Sequence, residues 1–233
     1  MNDMVRNSRL TVNETQYRIL RLLGKGKGGY SYLAERDGQQ VVVKQIHHEP
    51  CDYYAFGNKI EAELRDYERL QKAGIRIPGM QAVDRNAERI VKDYIEGPTV
   101  MDLVQSGASV EPYLPLVRDM AAKAMAAGLN IDYYPTNFVV QEGLLWYVDY
   151  ECNDYSEQWD FEHWGIRYWS RTPEFEVYLK DYKPTVTIRE AGMAAFLECE
   201  RKRWTCSACG GVICVHTGVC SGCGRQYAGS MEH

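Results

Sequence analysis

The chain has 233 residues, 45% of them hydrophobic and 25% charged, with a net charge of -5. These are values of a globular protein, which exclude a disordered chain, and the negative balance argues against a general binder of nucleic acid or membrane surfaces. No apolar run reaches the length of a membrane span, and Met1 to Thr15 lacks the apolar core of a secretion signal, so a cytoplasmic location without membrane partners is expected.

Residues 16 to 49 read as three strands, Tyr17 to Leu23, Tyr30 to Glu35 and Val41 to His47, with Asp37-Gly38 as the second turn. The first turn holds Gly24, Gly26, Gly28 and Gly29. Glycine permits positive φ and close backbone approach, so such a turn can lay N–H groups over phosphates that Lys44 then reaches. The same residues also read as a plain tight hairpin. Residues 57 to 73 read as a helix, with Ile60, Leu64, Tyr67 and Leu70 on one face and Gly74 ending it. Met80 to Val83 and Arg89 to Ile95 add two strands, giving a five-stranded sheet with one helix, and Gly97-Pro98 is a break.

Beyond the break the chain turns helical. A short helix is expected over Thr99 to Gln105 and a long one over Glu111 to Ala127, ended by Gly128. A hairpin follows, Phe138 to Gln141 and Leu144 to Val148 about Glu142-Gly143. Residues 156 to 171 have helical spacing, with Trp159, Phe161, Trp164, Tyr168 and Trp169 as an aromatic core stripe. Phe175 to Lys180 and Thr187 to Arg203 read as two further helices, and composition shifts to Cys and Gly at Arg203-Trp204, which marks a domain boundary.

Asp132 and Asn137 lie five apart in the loop that opens the hairpin, and the hairpin returns Asp149 beside Asn137. An Asn and an Asp together suit Mg²⁺, which takes oxygen ligands and completes its shell with phosphate and water. A third carboxylate nearby can orient a hydroxyl or accept its proton.

In these residues, over roughly positions 17 to 200, the chain resembles the protein-kinase-like superfamily. It is closest in character to small atypical bacterial serine/threonine kinases, to the RIO kinases and to aminoglycoside phosphotransferases. Gly24 to Gly29 resembles the glycine-rich loop and Lys44, in Val-Val-Val-Lys, the strand lysine. Glu63, with Glu61 as second choice, resembles that lysine's helix partner. Lys92 to Gly97 resembles the hinge, with Asp93 and Ile95 binding adenine. Asn130-Ile131-Asp132 through Asn137 resembles the catalytic loop, and Asp149 the metal-binding aspartate. The resemblance implies a bilobal α+β fold: an N-lobe over about 1–96, with an antiparallel sheet and one helix, and a mainly helical C-lobe over about 97–203. It also implies ATP and Mg²⁺ as cofactors, Asp132, Lys44 and Glu63 as catalytic residues, Asn137 and Asp149 as Mg²⁺ ligands, and a protein substrate or small-molecule hydroxyl as acceptor.

There are departures. Asn130 stands where His is usual, Ile131 where Arg is usual, and Tyr150-Glu151 where Phe-Gly is usual. The missing arginine argues against control by a phosphate downstream. Glu151 suits a small-molecule kinase, and Asn130 with Ile131 a nucleotide-binding pseudokinase. Thr172-Pro173-Glu174 matches the A-P-E motif only superficially and is read as coincidence.

Five of the eight cysteines fall between 206 and 223. Cys206-x2-Cys209-Gly and Cys220-x2-Cys223-Gly are two knuckles, and four thiolates suit tetrahedral Zn²⁺. Residues 204–233 thus resemble a zinc ribbon, a segment too short to bury a core, whose folding energy the metal supplies. It would dock a protein or nucleic acid, or brace its neighbour. Cys214 and His216 read as hairpin residues, with replacement of a knuckle ligand as the alternative. Cys51, Cys152 and Cys199 read as buried free thiols.

Overall fold

In the computed structural model the described residues are 9–26, 28–46, 58–181, 206–211, 220 and 222–225. The helix expected over Thr187 to Arg203, the boundary beside it, and Cys51, Cys199, Cys214 and His216 lie outside them. The fold is α+β and divides into two units. The first takes the described residues of Met1–Ile60, Gly79–Tyr94 and Pro184–His233; the second takes Glu61–Pro78 and those of Ile95–Lys183.

The first unit is built on alternation. Strands β1 (Arg9–Val12), β2 (Thr15–Lys25), β3 (Gly29–Arg36), β4 (Gln39–Ile46), β5 (Met80–Asp84) and β6 (Arg89–Asp93) form one antiparallel sheet in the order β1-β2-β3-β4-β6-β5. Every second residue, Tyr30, Tyr32 and Ala34 on β3, Val41 and Val43 on β4, and Val91 on β6, joins Leu10, Val12, Tyr17 and Ile19 in a core on one face. The sheet curls, because β1 reaches the far edge. Asn13 donates to the Val83 carbonyl (2.9 Å) and to Asp84 (3.0 Å), and buried Arg89 donates to the Thr11 carbonyl (2.7 Å). The expected five strands are therefore six. β1 was missed because its alternation, Leu10 and Val12, spans only four residues, and its turn places Asn13 and Glu14 at φ 45° and 68°.

Helix α1 (Lys59–Lys72) starts in the first unit and continues in the second. Gly74 ends it at φ 73°, with Ile75 N–H returning to the Leu70 carbonyl at 3.1 Å. In the second unit α2 (Val100–Ser106) starts at a capping box, in which Thr99 and Asp102 bond each other's backbone N–H groups. Helix α3 spans Leu114–Ala126, and the pairs β7 (Leu129–Ile131) with β10 (Cys152–Asp154), and β8 (Phe138–Gln141) with β9 (Leu144–Tyr147), follow. Helix α4 (Pro173–Asp181) completes the unit. Among the described residues, no helix is long and apolar enough to cross a membrane.

Two helices differ from expectation. Pro112 and Pro115 cannot donate backbone hydrogen bonds, so Glu111–Tyr113 forms a separate single 3-10 turn before α3. Residues 156 to 171 are not a helix but two short 3-10 turns, Glu157–Trp159 and Gly165–Tyr168. Asp160 is extended (ψ 176°), and its carboxylate captures the His163 N–H at 2.8 Å, which breaks the helical ladder. Phe161 and Trp169 are buried as expected, whereas Trp159 is exposed. Thr172-Pro173-Glu174 is the start of α4: the Thr172 hydroxyl accepts from Phe175 N–H at 3.1 Å.

Candidate functional site

In the first unit the glycine turn is closed by Gly26 N–H to the Gly29 carbonyl at 2.9 Å. Its glycines differ in kind. A Cβ on Gly29 would stand 2.5 Å from the Gln45 carbonyl oxygen, so the packing of β3 on β4 requires glycine there. At Gly24 and Gly26 a Cβ would meet no atom of the described residues within 4 Å, so packing among those residues does not require glycine there. Gly28 lies in the same turn and is partly buried. On β4, Lys44 pairs with Ser31 on β3 and with Ile90 on β6, and is 8% exposed. Lys92 is 5% exposed. Asp93 has its carboxylate committed to β5, accepting from Gly79 N–H (3.0 Å) and Gln81 Nε2 (2.7 Å).

The second unit gathers Asp132, Asn137 and Asp149. Val148 N–H donates to the Asn137 carbonyl at 2.9 Å, which sets Asp149 beside Asn137. Asn137 Nδ2 reaches the Asp132 carbonyl at 3.4 Å. Asp132 Oδ1 accepts from Tyr134 N–H at 3.1 Å, and Asp149 Oδ1 accepts from Tyr150 N–H at 2.8 Å, so both carboxylates are oriented by local amides. Ile95 in this unit is buried. On α1, Glu63 is partly buried and Glu61 exposed. One turn after Glu63, the Tyr67 ring packs on Tyr150 (4.8 Å between centroids), and Arg69 bonds Asp154 at 2.7 Å. Glu63 thus shares the helix face that packs on the segment following Asp149. Cys152 Sγ lies 3.9 Å from the Asp66 carbonyl; burial, then the Asp66 carboxylate, pushes this thiol up to about 12.

The cysteines converge. Sγ atoms of Cys206, Cys209, Cys220 and Cys223 all lie within 4.8 Å of one another, with 3.7 Å between Cys206 and Cys223 and 3.4 Å between Cys209 and Cys220. Four sulfurs about 2.3 Å from a tetrahedral ion stand about 3.8 Å apart, so this set fits such an ion. Each knuckle repeats one hydrogen-bond pattern. Cys206 N–H reaches the Gly211 carbonyl and Gly210 N–H the Cys206 carbonyl; Cys220 N–H reaches Arg225 and Gly224 N–H reaches Cys220. Gly210 and Gly224 are left-handed, at φ 73° and 70°. Gly211 N–H points to Cys209 Sγ (3.4 Å) and Gly222 N–H to Cys220 Sγ (3.3 Å). The Cys223 and Gly222 amides hold the Cys220 thiol below its usual range, favouring the thiolate a metal needs. The four thiols can hold a metal ion such as zinc.

No protein-family model matches this chain, and no curated protein matches it.

Two contacts that hold the Asp132 loop had no signal in the sequence. The buried Tyr147 hydroxyl accepts from Asp132 N–H (3.2 Å) and donates to the Glu151 carbonyl (2.8 Å), tying the Asp132 loop to the chain after Asp149. Burial, then Asp149 and Asp132, holds that phenol well above its ordinary range, so it stays a donor. Trp169 Nε1 donates to the Tyr133 carbonyl at 2.9 Å and braces the same loop.

Proposed function

We propose that the chain is an ATP- and Mg²⁺-dependent phosphotransferase of protein-kinase-like type, acting on a serine or threonine hydroxyl of a protein. The observation that carries this reading is the gathering of Asp132, Asn137 and Asp149 through the Val148–Asn137 and Asn137–Asp132 hydrogen bonds. It is supported by a glycine turn with two sterically open glycines, and by a buried lysine on the adjoining strand pair.

In this reading the amides of the glycine turn and the Lys44 ammonium hold the triphosphate, and Glu63 orients Lys44. Asn137 and Asp149 offer the oxygens for Mg²⁺, whose charge neutralises the phosphate oxygens. Asp132, oriented by the Tyr134 amide, accepts a hydrogen bond from the acceptor hydroxyl and holds it in line for attack. The hinge backbone at Asp93 and Ile95 takes the base. The four cysteines hold Zn²⁺ as the structural metal of a ribbon that docks a protein or nucleic acid, or braces its neighbour.

A small-molecule hydroxyl is the second reading of the acceptor. It is favoured by the short, packed course of residues 156 to 171, pinned by Asp160, Phe161 and Trp169 where a peptide-binding segment would need open backbone. Transfer of labelled phosphate from ATP, assayed against proteins and metabolites side by side, tests both. Asp149→Asn is expected to abolish transfer, and equal labelling by that variant would refute the assignment.

A further inference from the structure

We propose that the cysteine centre is also an oxidation site: hydrogen peroxide converts Cys209 and Cys220 to a disulfide that joins the two knuckles, and the metal is lost. This rests on reading the four cysteines as a metal site, and is independent of the kinase-like reading.

The knuckles differ in what each sulfur meets. Cys206 and Cys220, the first of each pair, are each 1% exposed, whereas Cys209 and Cys223 are exposed. Across the knuckles, exposed Cys209 faces buried Cys220 at 3.4 Å between sulfurs. Each of these two sulfurs takes a glycine amide, Gly211 N–H on Cys209 and Gly222 N–H on Cys220, which fixes the pair in place. The same glycines flank it. A Cβ on Gly211 would stand 2.9 Å from Cys220 Sγ and 3.2 Å from Cys209 Sγ, and one on Gly222 would stand 3.2 Å from Cys209 Sγ. Gly222 is itself exposed, so bare backbone lies on that side of the pair. A small oxidant reaches one sulfur from solvent, and the second waits behind it, out of its reach.

The chemistry balances in two displacements. Cys209 attacks one oxygen of peroxide, the O–O bond breaks, a sulfenic acid forms and hydroxide leaves. Cys220 then attacks the Cys209 sulfur, the S–O bond breaks, the S–S bond forms and a second hydroxide leaves. Two thiolates give up one electron each, and peroxide takes both, ending as two waters once protons are added. The sulfurs close from 3.4 Å to about 2.05 Å, a movement of about 1.4 Å. Cys206 and Cys223 remain, two ligands where a structural site needs four. A dithiol reductant reverses the bond and returns the set.

The full chain loaded with zinc and treated with hydrogen peroxide tests this. A chromogenic chelator reads released zinc. Alkylation, cleavage of the denatured chain between the knuckles and mass spectrometry read the pairing. Zinc is expected to appear in step with a bond between Cys209 and Cys220, and to rebind after dithiothreitol. With Cys220→Ser, dimedone is expected to trap a sulfenic acid at Cys209; with Cys209→Ser, it is expected to leave Cys220 unlabelled. A first bond in any other pairing, or zinc retained with every thiol still open to alkylation once denatured, overturns the inference and leaves the metal site standing. A chain that takes up no zinc overturns both. If the serine variants do not hold zinc, the pairing found in the wild type decides the matter.

Discussion

Alanine placed at each glycine of the first turn separates packing from ligand binding. A Cβ at Gly29 would stand 2.5 Å from the Gln45 carbonyl oxygen and 3.3 Å from the Ile46 Cα, against 3.4 Å or more for ordinary contact. Gly29 pairs with Ile46, so relief requires β3 and β4 to part where they are bonded. Overpacking of this kind costs about 1–3 kcal/mol. At about 2 kcal/mol, and 2–4 °C per kcal/mol for a chain of this length, Gly29→Ala is expected to lower Tm by roughly 4–8 °C. Among the described residues no atom lies within 4 Å of a Cβ built on Gly24 or Gly26, and neither has a left-handed φ. Alanine there is expected to change stability by less than about 0.5 kcal/mol. It would, however, hold an amide away from a phosphate, and losing a hydrogen bond to a charged group costs about 1.5–3 kcal/mol, roughly ten- to hundredfold in nucleotide affinity. Thermal unfolding by circular dichroism and nucleotide titration read the two effects separately. A Gly29→Ala protein that melts with the wild type would refute the steric reasoning. Wild-type nucleotide affinity in both Gly24→Ala and Gly26→Ala would remove the phosphates from this turn.

Tyr147→Phe takes the shared hydroxyl from Asp132 N–H and the Glu151 carbonyl, and is expected to cost about 1–3 kcal/mol in urea unfolding, with phosphate transfer falling more than nucleotide affinity; unchanged stability would sink the bridging role. One zinc per chain is expected by native mass spectrometry, lost in Cys223→Ser and released as pH falls and the thiolates are protonated; a wild type free of metal after refolding with zinc would contradict this. Cys152 has its folded pKa raised from 9.0 to about 12, so the stability linked to the buried thiol is full below pH 9 and is lost as pH rises toward 12. Iodoacetamide at neutral pH is accordingly expected to label Cys152 only after unfolding, and prompt labelling of the folded chain would disprove its burial.

What could be read in the sequence follows the range of the interactions involved. Asp37-Gly38 and Glu142-Gly143 were readable as hairpin turns because two adjacent residues must take positive φ, which they do at 51° and 80°, and at 52° and 75°. The helix from Lys59 was readable because Ile60 and Leu70 keep one buried face, and Gly74 adopts the left-handed end. The cysteine knuckles were readable from spacing alone. The stretch 156 to 171 was misread because aromatic spacing cannot register that Asp160 bonds the His163 amide, or that a Cβ at Gly165 would meet Tyr133 at 2.5 Å. Tyr147 stayed silent because its partners are 15 residues before and 4 residues after it, and only folding brings them to one oxygen. At Gly211 the constraint is likewise three-dimensional: a Cβ would stand 2.9 Å from Cys220 Sγ.

The interleaving of the two units bears on how the chain can be made and cut. It passes from the first unit to the second after Ile60, returns at Gly79, and leaves again after Tyr94. On an emerging chain the sheet cannot receive β5 and β6 until the helix of the other unit has been synthesised, and that helix waits for partners that start at Ile95. Neither unit therefore corresponds to a stretch that a protease or a cloning boundary could excise intact. A fragment ending at Glu96 would carry Glu61–Pro78 with its Tyr150, Cys152 and Asp154 contacts missing, leaving an apolar stripe open to aggregation.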